Sequence, residues 1–533
     1  EIRLSLVGSE MCIRDSLLYC VKNFCKYYFL CISKTELLKL KMVIRMDTLY
    51  TEYDKNKKKF EDDFKDCSDF LMRETVICGE KGFFCVMDGL IDSLQLSQLI
   101  MSPILERDIS FHDNQDLQNK IKLSVVNSLE MNEATTFKDC YFFLMSGFCV
   151  FVLDGCNKAI VFGIQGWAKR SIDEPTNESN VKGAKECFIE ALNDNKALLR
   201  KRLKTHHLKF KQIKLGSAAD TPVVIAYVDN RADPELVREI EHRLKGANFN
   251  TVVDYGEILP FVDTDIKSFF SCVGNTERPD VAVSKLLEGR IVIMVEGTPF
   301  AIYLPYLFSD NFQSVDDYDN PPFHSGFIRV LKYFSFVISV FLPGIYVAVG
   351  TFHQELIPTN LLYTIASEEI TTPFSLTTEA IILLVLYEIM REAGIRLPKA
   401  IGHAVSIIGG IIIGETTVTA GLIGAPMLVV IAMTAISSYV VYPLYESVSV
   451  LRFLFIIFGG MFGMYGIILG AGVVFINICS LNPFGVPLSS PISPLDRHSL
   501  GDIFYRETWL KLSKRKVRVN KLRGADIDTG KKG

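Results

Sequence analysis

Three carboxylates lie in or beside strongly apolar stretches near the C-terminal end of this 533-residue chain: Glu379, Glu388 and Glu415. A carboxylate is costly inside a membrane, so one that is kept there is a candidate for an ion pathway or a buried ion pair. Glu379 and Glu388 are nine residues apart, about half a turn out of phase on an α-helix, so they cannot both line one narrow pore. Glu388 has Arg391 one turn further on, which leaves a structural ion pair open.

A short segment of small residues, 400–414, lies between Glu388 and Glu415. It contains Gly402, Val405 and Ser406. Small residues allow helices to pack closely. They also allow a narrow pore lined by Val405 and Ser406, with Gly402 beside them. The residues themselves leave both interpretations open.

No pattern in the chain indicates an enzyme. It lacks a Walker-type phosphate loop, a dinucleotide fingerprint and a metalloprotease helix. The adjacent His206 and His207 point to different sides of a helix, and Lys204 and Lys209 beside them disfavour a bound cation. We therefore predict no catalytic residue, no metal site and no cofactor.

The chain divides by composition into a charged part and an apolar part. Its net charge of −4 gives no reason to expect a nucleic acid as partner. A membrane-crossing helix needs about 20 largely apolar residues, and the candidate spans are 327–352, 380–387, 400–414, 418–442 and 453–481. The charges of the loops favour an even number of crossings, four or six. A break of the last span near Gly463 and Gly466 is one way to reach that number.

The charged part alternates β-rich runs with helical patterns. Three runs end in an acidic residue and a glycine, at Asp88-Gly89, Asp154-Gly155 and Glu296-Gly297, and glycine supplies the positive φ of a tight reversal. Helices are predicted over 187–203 and 234–244, the second with Asp233 as N-cap. The basic run Arg200–Lys204 reads as a solvated face, with contact to anionic lipid as the alternative.

These patterns predict a soluble α/β N-terminal region of two subdomains followed by an α-helical transmembrane bundle. The first subdomain is expected over 47–175 and the second over 182–322. The transmembrane domain is expected over 323–481, and a basic cytoplasmic tail over 482–533. Residues 1–41 have no clear period, and we expect an artefact or a non-native leader there.

Several motifs resemble the spore germinant receptor A subunit, the GerA type of spore germination protein. The resemblance runs from about Asp66 to about Arg506 and is carried by residues 166–167, 174–175, 182–183, 276–280, 288–290, 296–300, 312–318, 352–359, 391–398, 484–487 and 491–494. Glu415, before the Thr-Thr pair, and residues 167–170 and 181–184 depart from the family pattern, which suggests a divergent clade.

The resemblance implies a multi-pass protein of the bacterial spore inner membrane with its soluble region on the cytoplasmic, or core, side. It implies assembly with a transporter-like B subunit and a C-subunit lipoprotein. It also implies a pentamer of A subunits that forms a nutrient-gated cation channel, in which Val405 corresponds to the proposed constriction. A non-conducting scaffold that couples the B subunit to the soluble region is the alternative. A secondary transporter is disfavoured because no inverted repeat is evident.

Overall fold

The computed structural model describes residues 48–106, 109–125, 130–166, 175, 178, 180, 182–263, 268–398, 409–410, 412–497, 499–512 and 517–525. The stretch 1–41 and the pore candidates Gly402, Val405 and Ser406 lie outside these ranges. The described residues form two compact units: those within 48–65, 69–166 and 204–206 belong to the first, and the other described residues belong to the second.

The first unit contains an antiparallel sheet with strand order β1-β2-β4-β5-β3. Its strands are β1 Phe70–Ile77, β2 Glu80–Met87, β3 Met131–Ala134, β4 Phe148–Leu153 and β5 Ala159–Gly163. Its helices are α1 Tyr53–Asp63, α2 Asn114–Lys120 and α3 Phe137–Leu144, with short helical turns at Ser93–Gln95, Leu96–Met101, Ser102–Glu106 and Ile121–Val125. Strand β4 is buried along its whole length, which explains its continuous apolar run.

The second unit contains another antiparallel sheet, with order β6-β7-β9-β10-β8. Its strands are β6 Leu208–Leu215, β7 Thr221–Val228, β8 Gly274–Thr276, β9 Ile291–Val295 and β10 Ala301–Leu304. The helices around it are α4 Leu192–Arg202, α5 Pro234–Gly246 and α6 Pro279–Leu287, with shorter turns at Tyr255–Glu257 and Leu259–Val262. The strand order repeats that of the first sheet.

The two sheets also repeat one capping device. Asp154, after β4, accepts the N–H of Tyr53 at 2.9 Å, and Tyr53 is the first residue of α1. Glu296, after β9, accepts the N–H of Leu192 at 3.0 Å, and Leu192 is the first residue of α4. The acidic residue of each reversal therefore satisfies a free N–H at a helix N-terminus, where its charge also opposes the helix dipole.

We expect Glu296→Ala to lower the free energy of unfolding by about 1 kcal/mol, the usual cost of losing a helix N-cap. Asp88→Ala is the matched control, because within the described ranges the Asp88 carboxylate accepts only from Gly89 in its own turn. Thermal unfolding of the full-length chain in detergent measures both variants. Equal midpoints would contradict the capping role.

The helix predicted over 187–203 begins later, at Leu192, and its basic end is not wholly solvated as we predicted. Arg200 is fully buried. Its Nη1 donates to the carbonyl of Leu208 at 2.9 Å, and its guanidinium lies 4.7 Å from the centre of the Phe210 ring. These partners lie beyond the helix, so local pattern could not reveal them. The next two basic residues pair with Glu186 at 2.9 and 2.8 Å.

The C-terminal half is helical. Its long helices are α7 Pro322–Phe352, α8 Thr359–Thr371, α9 Leu376–Arg396, α10 Ala425–Val440 and α11 Tyr445–Ser480, with short helical turns at Phe308–Phe312, Asp316–Asp319, Gln354–Leu356, Ile412–Thr416, Thr417–Thr419, Tyr442–Leu444, Pro483–Gly485, Leu500–Asp502, Trp509–Leu512 and Val519–Lys521. Within the described ranges, two helices are long and apolar enough to cross a membrane, or three if α8 and α9, bent by 77°, form one span. Together with the two sheets, these helices confirm the predicted fold class.

Helix α11 is broken at Gly463, one of the two glycines named from the sequence. Gly463 has φ +61° and ψ −148°. A Cβ on Gly470 would lie 2.8 Å from the Phe455 ring, so residues from the two sides of the break lie next to each other. The chain therefore turns back at Gly463, and α11 is a pair of helices, 445–462 and 464–480.

Both ends of this pair contact the same short segment of the soluble region. The hydroxyl of Ser447 donates to the carbonyl of Phe269. The hydroxyl of Ser268 lies 3.2 Å from Oδ1 of Asn477. The residues after α11 return to the second sheet, where the N–H of Val519 donates to the carbonyl of Glu288 at 3.0 Å. Part of the segment predicted as a basic tail thus packs on the second α/β region.

Candidate functional site

Glu388 lies at the centre of a polar cluster between α9 and α11. Its carboxylate is 3.0 Å from Nε of Arg391 and accepts from Nη2 of Arg452. It also accepts from the hydroxyl of Tyr445 at 2.9 Å and from that of Ser449 at 3.1 Å. Four donors from two helices thus converge on one carboxylate, which satisfies a charge that would otherwise be costly at this place. We call these five residues the Glu388 cluster.

The cluster is closed by aromatic contacts. Arg452 is fully buried, and its guanidinium lies 5.4 Å from the centre of the Tyr387 ring and 5.7 Å from that of Tyr445. The Arg391 guanidinium lies 4.1 Å from the Tyr445 ring centre. Cation–π contacts of this kind strengthen when water is excluded. Within the described ranges, Glu388 is the one carboxylate that pairs with Arg452.

Glu379 has a different surrounding. Its side chain is almost fully buried and accepts the N–H of Gly424, the residue that precedes α10. A carboxylate at this position satisfies a free N–H and opposes the helix dipole. Glu379 is therefore placed as a helix cap supplied by a neighbouring helix. Glu415, the third carboxylate named from the sequence, is exposed. The structure does not bring the three together.

Sequence reasoning missed a buried charge network where the soluble region joins α7. Arg329, fully buried in the second turn of α7, donates through Nε to Asp317 at 2.9 Å. Its Nη1 pairs with Asp502 of the C-terminal segment at 2.7 Å. Lys332 lies 3.5 Å from Asp317. We call these four residues the Arg329 network. In the sequence, Arg329 and Lys332 are two charges at the start of the predicted span 327–352.

A second group of buried charges precedes the Arg329 network in the sequence. Asp310 is held by Lys285 at 2.9 Å and by Arg290 at 2.5 Å. Burial alone would raise the pKa of Asp310, but the two cations outweigh it and hold that pKa well below its usual range. Asp310 also accepts the N–H of Leu307, so it fixes the loop that leaves the second sheet.

Between these two charge sites, aromatic rings join the loop to the first long helix. The ring of Phe312 stacks on that of Tyr333 in α7 with 3.9 Å between centres. Phe308 packs edge-on against Phe270, 5.4 Å away, and against Phe336, 5.8 Å away. The loop therefore holds the start of α7 against the second sheet by charge and by packing.

Residues 58–518 match the model of the Bacillus/Clostridium GerA spore germination protein family. The chain belongs to the GerA family. The match covers both α/β units and the helical half, and it confirms the family resemblance drawn from the motifs.

Two curated relatives of this GerA chain come from Bacillus subtilis (strain 168). "Uncharacterized membrane protein YfkQ" is 37% identical over 455 residues, which is 84% of this chain and 88% of that protein. "Spore germination protein KA" is 34% identical over 460 residues, 85% of this chain and 84% of that protein. Among solved structures, the N-terminal domain of the A subunit of the Bacillus megaterium spore germinant receptor GerK3 matches with 25% identity and a TM-score of 0.38. It covers 49% of this chain and 97% of that domain.

Several of the GerA motif residues hold the buried contacts described above. Arg290, from the motif at 288–290, pairs with Asp310. Asp317, from the motif at 312–318, pairs with Arg329. Arg391, from the motif at 391–398, pairs with Glu388. These motifs therefore mark the places where the second sheet, α7 and α9 are fixed to their neighbours.

Proposed function

We propose that this chain is the A subunit of a nutrient germinant receptor in the inner membrane of a bacterial spore. In this proposal it assembles as a pentamer around a pore for monovalent cations. It works with a transporter-like B subunit that binds the nutrient and with a C-subunit lipoprotein. Nutrient binding opens the pore, and cations leave the spore core. Membership of the GerA family over residues 58–518 is the observation that carries this proposal.

We place six membrane crossings in the helical half, with the soluble region on the core side as the family resemblance implies. In this arrangement α7, α9, α10 and the two halves of α11 each cross once. The proposal needs one further crossing between Arg396 and Gly421, because Arg396 ends α9 near the Glu388 cluster, whereas Gly421 lies beside Thr371, shortly before the other end of α9. An even number returns the C-terminal segment to the side of the soluble region, as the contact of Ser268 with Asn477 requires.

A non-conducting scaffold remains the second candidate, and a specific observation favours it. Glu379 caps a helix, and Glu388 is occupied by four donors from its own chain. Both carboxylates thus stabilise the helices, which a scaffold would need as much as a channel. The proposal therefore assigns the pore to Val405, Ser406 and Gly402 rather than to the carboxylates. In either role the chain itself is proposed to carry out no chemical reaction.

We expect spores that carry Val405→Ala to release potassium without nutrient, or at nutrient concentrations about tenfold lower than normal. A smaller side chain at a hydrophobic constriction admits water more easily, and a tenfold change corresponds to about 1.4 kcal/mol. Potassium in the medium is followed during exposure to a mixture of the twenty L-amino acids, glucose and inosine.

The matched control is Val429→Ala, the same change at an exposed position of α10. Normal nutrient-dependent release from Val405→Ala spores that contain normal amounts of the protein would reject Val405 as the constriction. It would favour the scaffold.

A further inference from the structure

The soluble segment 268–272 connects directly to the start of α11. This segment immediately precedes β8. Its Phe270 and Cys272 are buried in one apolar cluster with Val448 and Leu451 of α11, and the hydroxyl of Ser447 donates to its backbone. A displacement of this edge of the second sheet would therefore move the first two turns of α11.

A second face of the same two turns carries three residues of the Glu388 cluster. Tyr445, Ser449 and Arg452 are spaced i, i+4 and i+7, which places them on one side of a helix. All three donate to the carboxylate of Glu388 in α9. The first two turns of α11 thus lie between the soluble segment 268–272 and the C-terminal part of α9.

The C-terminal part of α9 leads into the candidate pore segment. Glu388 is eight residues, about 12 Å along the helix, from Arg396, where α9 ends. Gly402 and Val405 follow shortly after Arg396 in the sequence. Whatever shifts α9 at Glu388 therefore shifts the point from which the pore segment starts.

We propose that Glu388 is a positioning residue that transmits movement of the soluble segment 268–272 to the pore segment through Tyr445 and Arg452. This inference rests on the proposed channel function. Arg452 is suited to the role because Glu388 is the one carboxylate paired with it in the described part of the chain, and its Nε and Nη1 have no hydrogen-bond partner there. Loss of the carboxylate leaves a buried cation that no longer holds α9 to α11.

The test compares Glu388→Gln with Glu392→Gln in spores of the bacterium that carries this gene. Glu392 is one turn further along α9. It forms an exposed pair with Arg396 and lies 3.7 Å from Arg391, a longer contact than the 3.0 Å between Arg391 and Glu388. The readout is potassium release after addition of the twenty L-amino acids, glucose and inosine, with the amount of protein measured in parallel. Glu388→Gln is expected to slow nutrient-triggered release at least about fivefold, the lower end of usual coupling between sites, whereas Glu392→Gln is not.

A double variant tests whether Glu388 acts before the pore segment. Because the pore lies after Glu388 in the proposed sequence of events, Glu388→Gln with Val405→Ala is expected to release potassium without nutrient, as Val405→Ala does alone. Normal nutrient-triggered release from Glu388→Gln spores with normal protein amounts would overturn the inference. Release without nutrient from Glu388→Gln alone would also overturn it, because Glu388 would then restrain the pore rather than transmit to it.

If the Glu388→Gln protein fails to accumulate in spores, a milder change tests the role of Glu388 instead. Tyr445→Phe removes the hydroxyl bonded to Glu388 but keeps the ring beside the two guanidinium groups. It is expected to slow release about threefold, which corresponds to about 0.7 kcal/mol, the lower part of the usual range for one hydrogen bond. Tyr442→Phe, at an exposed ring three residues earlier, is the control. Equal release from the two variants would overturn the inference.

Failure of the proposed function gives a different result. Spores that lack the chain are expected to lose their nutrient response. If they respond normally, the receptor role itself fails. If their response is lost while Glu388→Gln and Tyr445→Phe behave as the unaltered chain, only the transmission through Glu388 fails.

Discussion

Arg329→Met is expected to destabilise the junction between the soluble region and α7 by about 3–5 kcal/mol, the usual cost of removing one partner from a buried ion pair. Methionine keeps the unbranched apolar stem of the side chain but leaves Asp317 and Asp502 without their shared guanidinium. Asp317 is almost fully buried; it keeps two hydrogen bonds from Ser314, and its remaining cation in the described part of the chain is the more distant Lys332, at 3.5 Å. The expected result is a lower amount of protein in the membrane and a lower midpoint of thermal unfolding in detergent.

Arg396→Met is the matched control for this variant. The Arg396 side chain is 77% exposed and pairs with Glu392, itself half exposed, at 2.7 Å. Exposed pairs contribute about 0–1 kcal/mol, so this control should behave nearly as the unaltered chain. Equal unfolding midpoints for Arg329→Met and Arg396→Met would contradict the role given to the Arg329 network.

Asp310→Asn is expected to lower the stability of the second α/β region by an amount similar to that expected for Arg329→Met at the junction with α7. The change removes one negative charge and leaves Lys285 and Arg290 buried without it. The expected loss is about 3 kcal/mol or more in the free energy of unfolding. Glu239→Gln is the control, because it removes a carboxylate from an exposed i, i+4 pair with Arg243, which is worth about 0.3–0.5 kcal/mol.

The loss of stability caused by Asp310→Asn should depend on pH in a defined direction. The cations hold the pKa of folded Asp310 below that of the unfolded chain, so its stabilising contribution is fully present above the unfolded value of about 3.9. The contribution is lost as the pH falls from there through the folded pKa. The difference in stability between the unaltered chain and Asp310→Asn should therefore be constant near neutral pH and shrink below about pH 4. A difference that grows in acid would contradict this assignment.

Much of the α/β architecture could be predicted because its signals are local. The run before Asp154-Gly155 is the buried strand β4, and the glycine has φ +76°. The predicted N-cap Asp233 accepts the N–H of Glu235 at 2.8 Å, one residue after the proline that begins α5. In both cases the residues that determine the element are adjacent in sequence. A single chain therefore carries enough information to place them.

The buried charges could not be predicted, because their partners are distant in sequence. Arg329 and Asp502 are separated by 173 residues, and Glu388 and Arg452 by 64. A basic residue near the start of an apolar helix has the same local pattern whether it faces lipid headgroups or a buried aspartate. The Asp316-Asp317-Tyr318 motif was the one available signal that this junction is specific.

The measurement that tests the proposed channel most directly is potassium efflux from proteoliposomes that contain the full-length chain purified together with the proposed B and C subunits. Addition of the twenty L-amino acids, glucose and inosine is predicted to start efflux, and Val405→Ala is predicted to give efflux before the addition. Vesicles that stay tight with both proteins, although the assembled complex binds one of these nutrients, would contradict the channel and leave the chain as a scaffold.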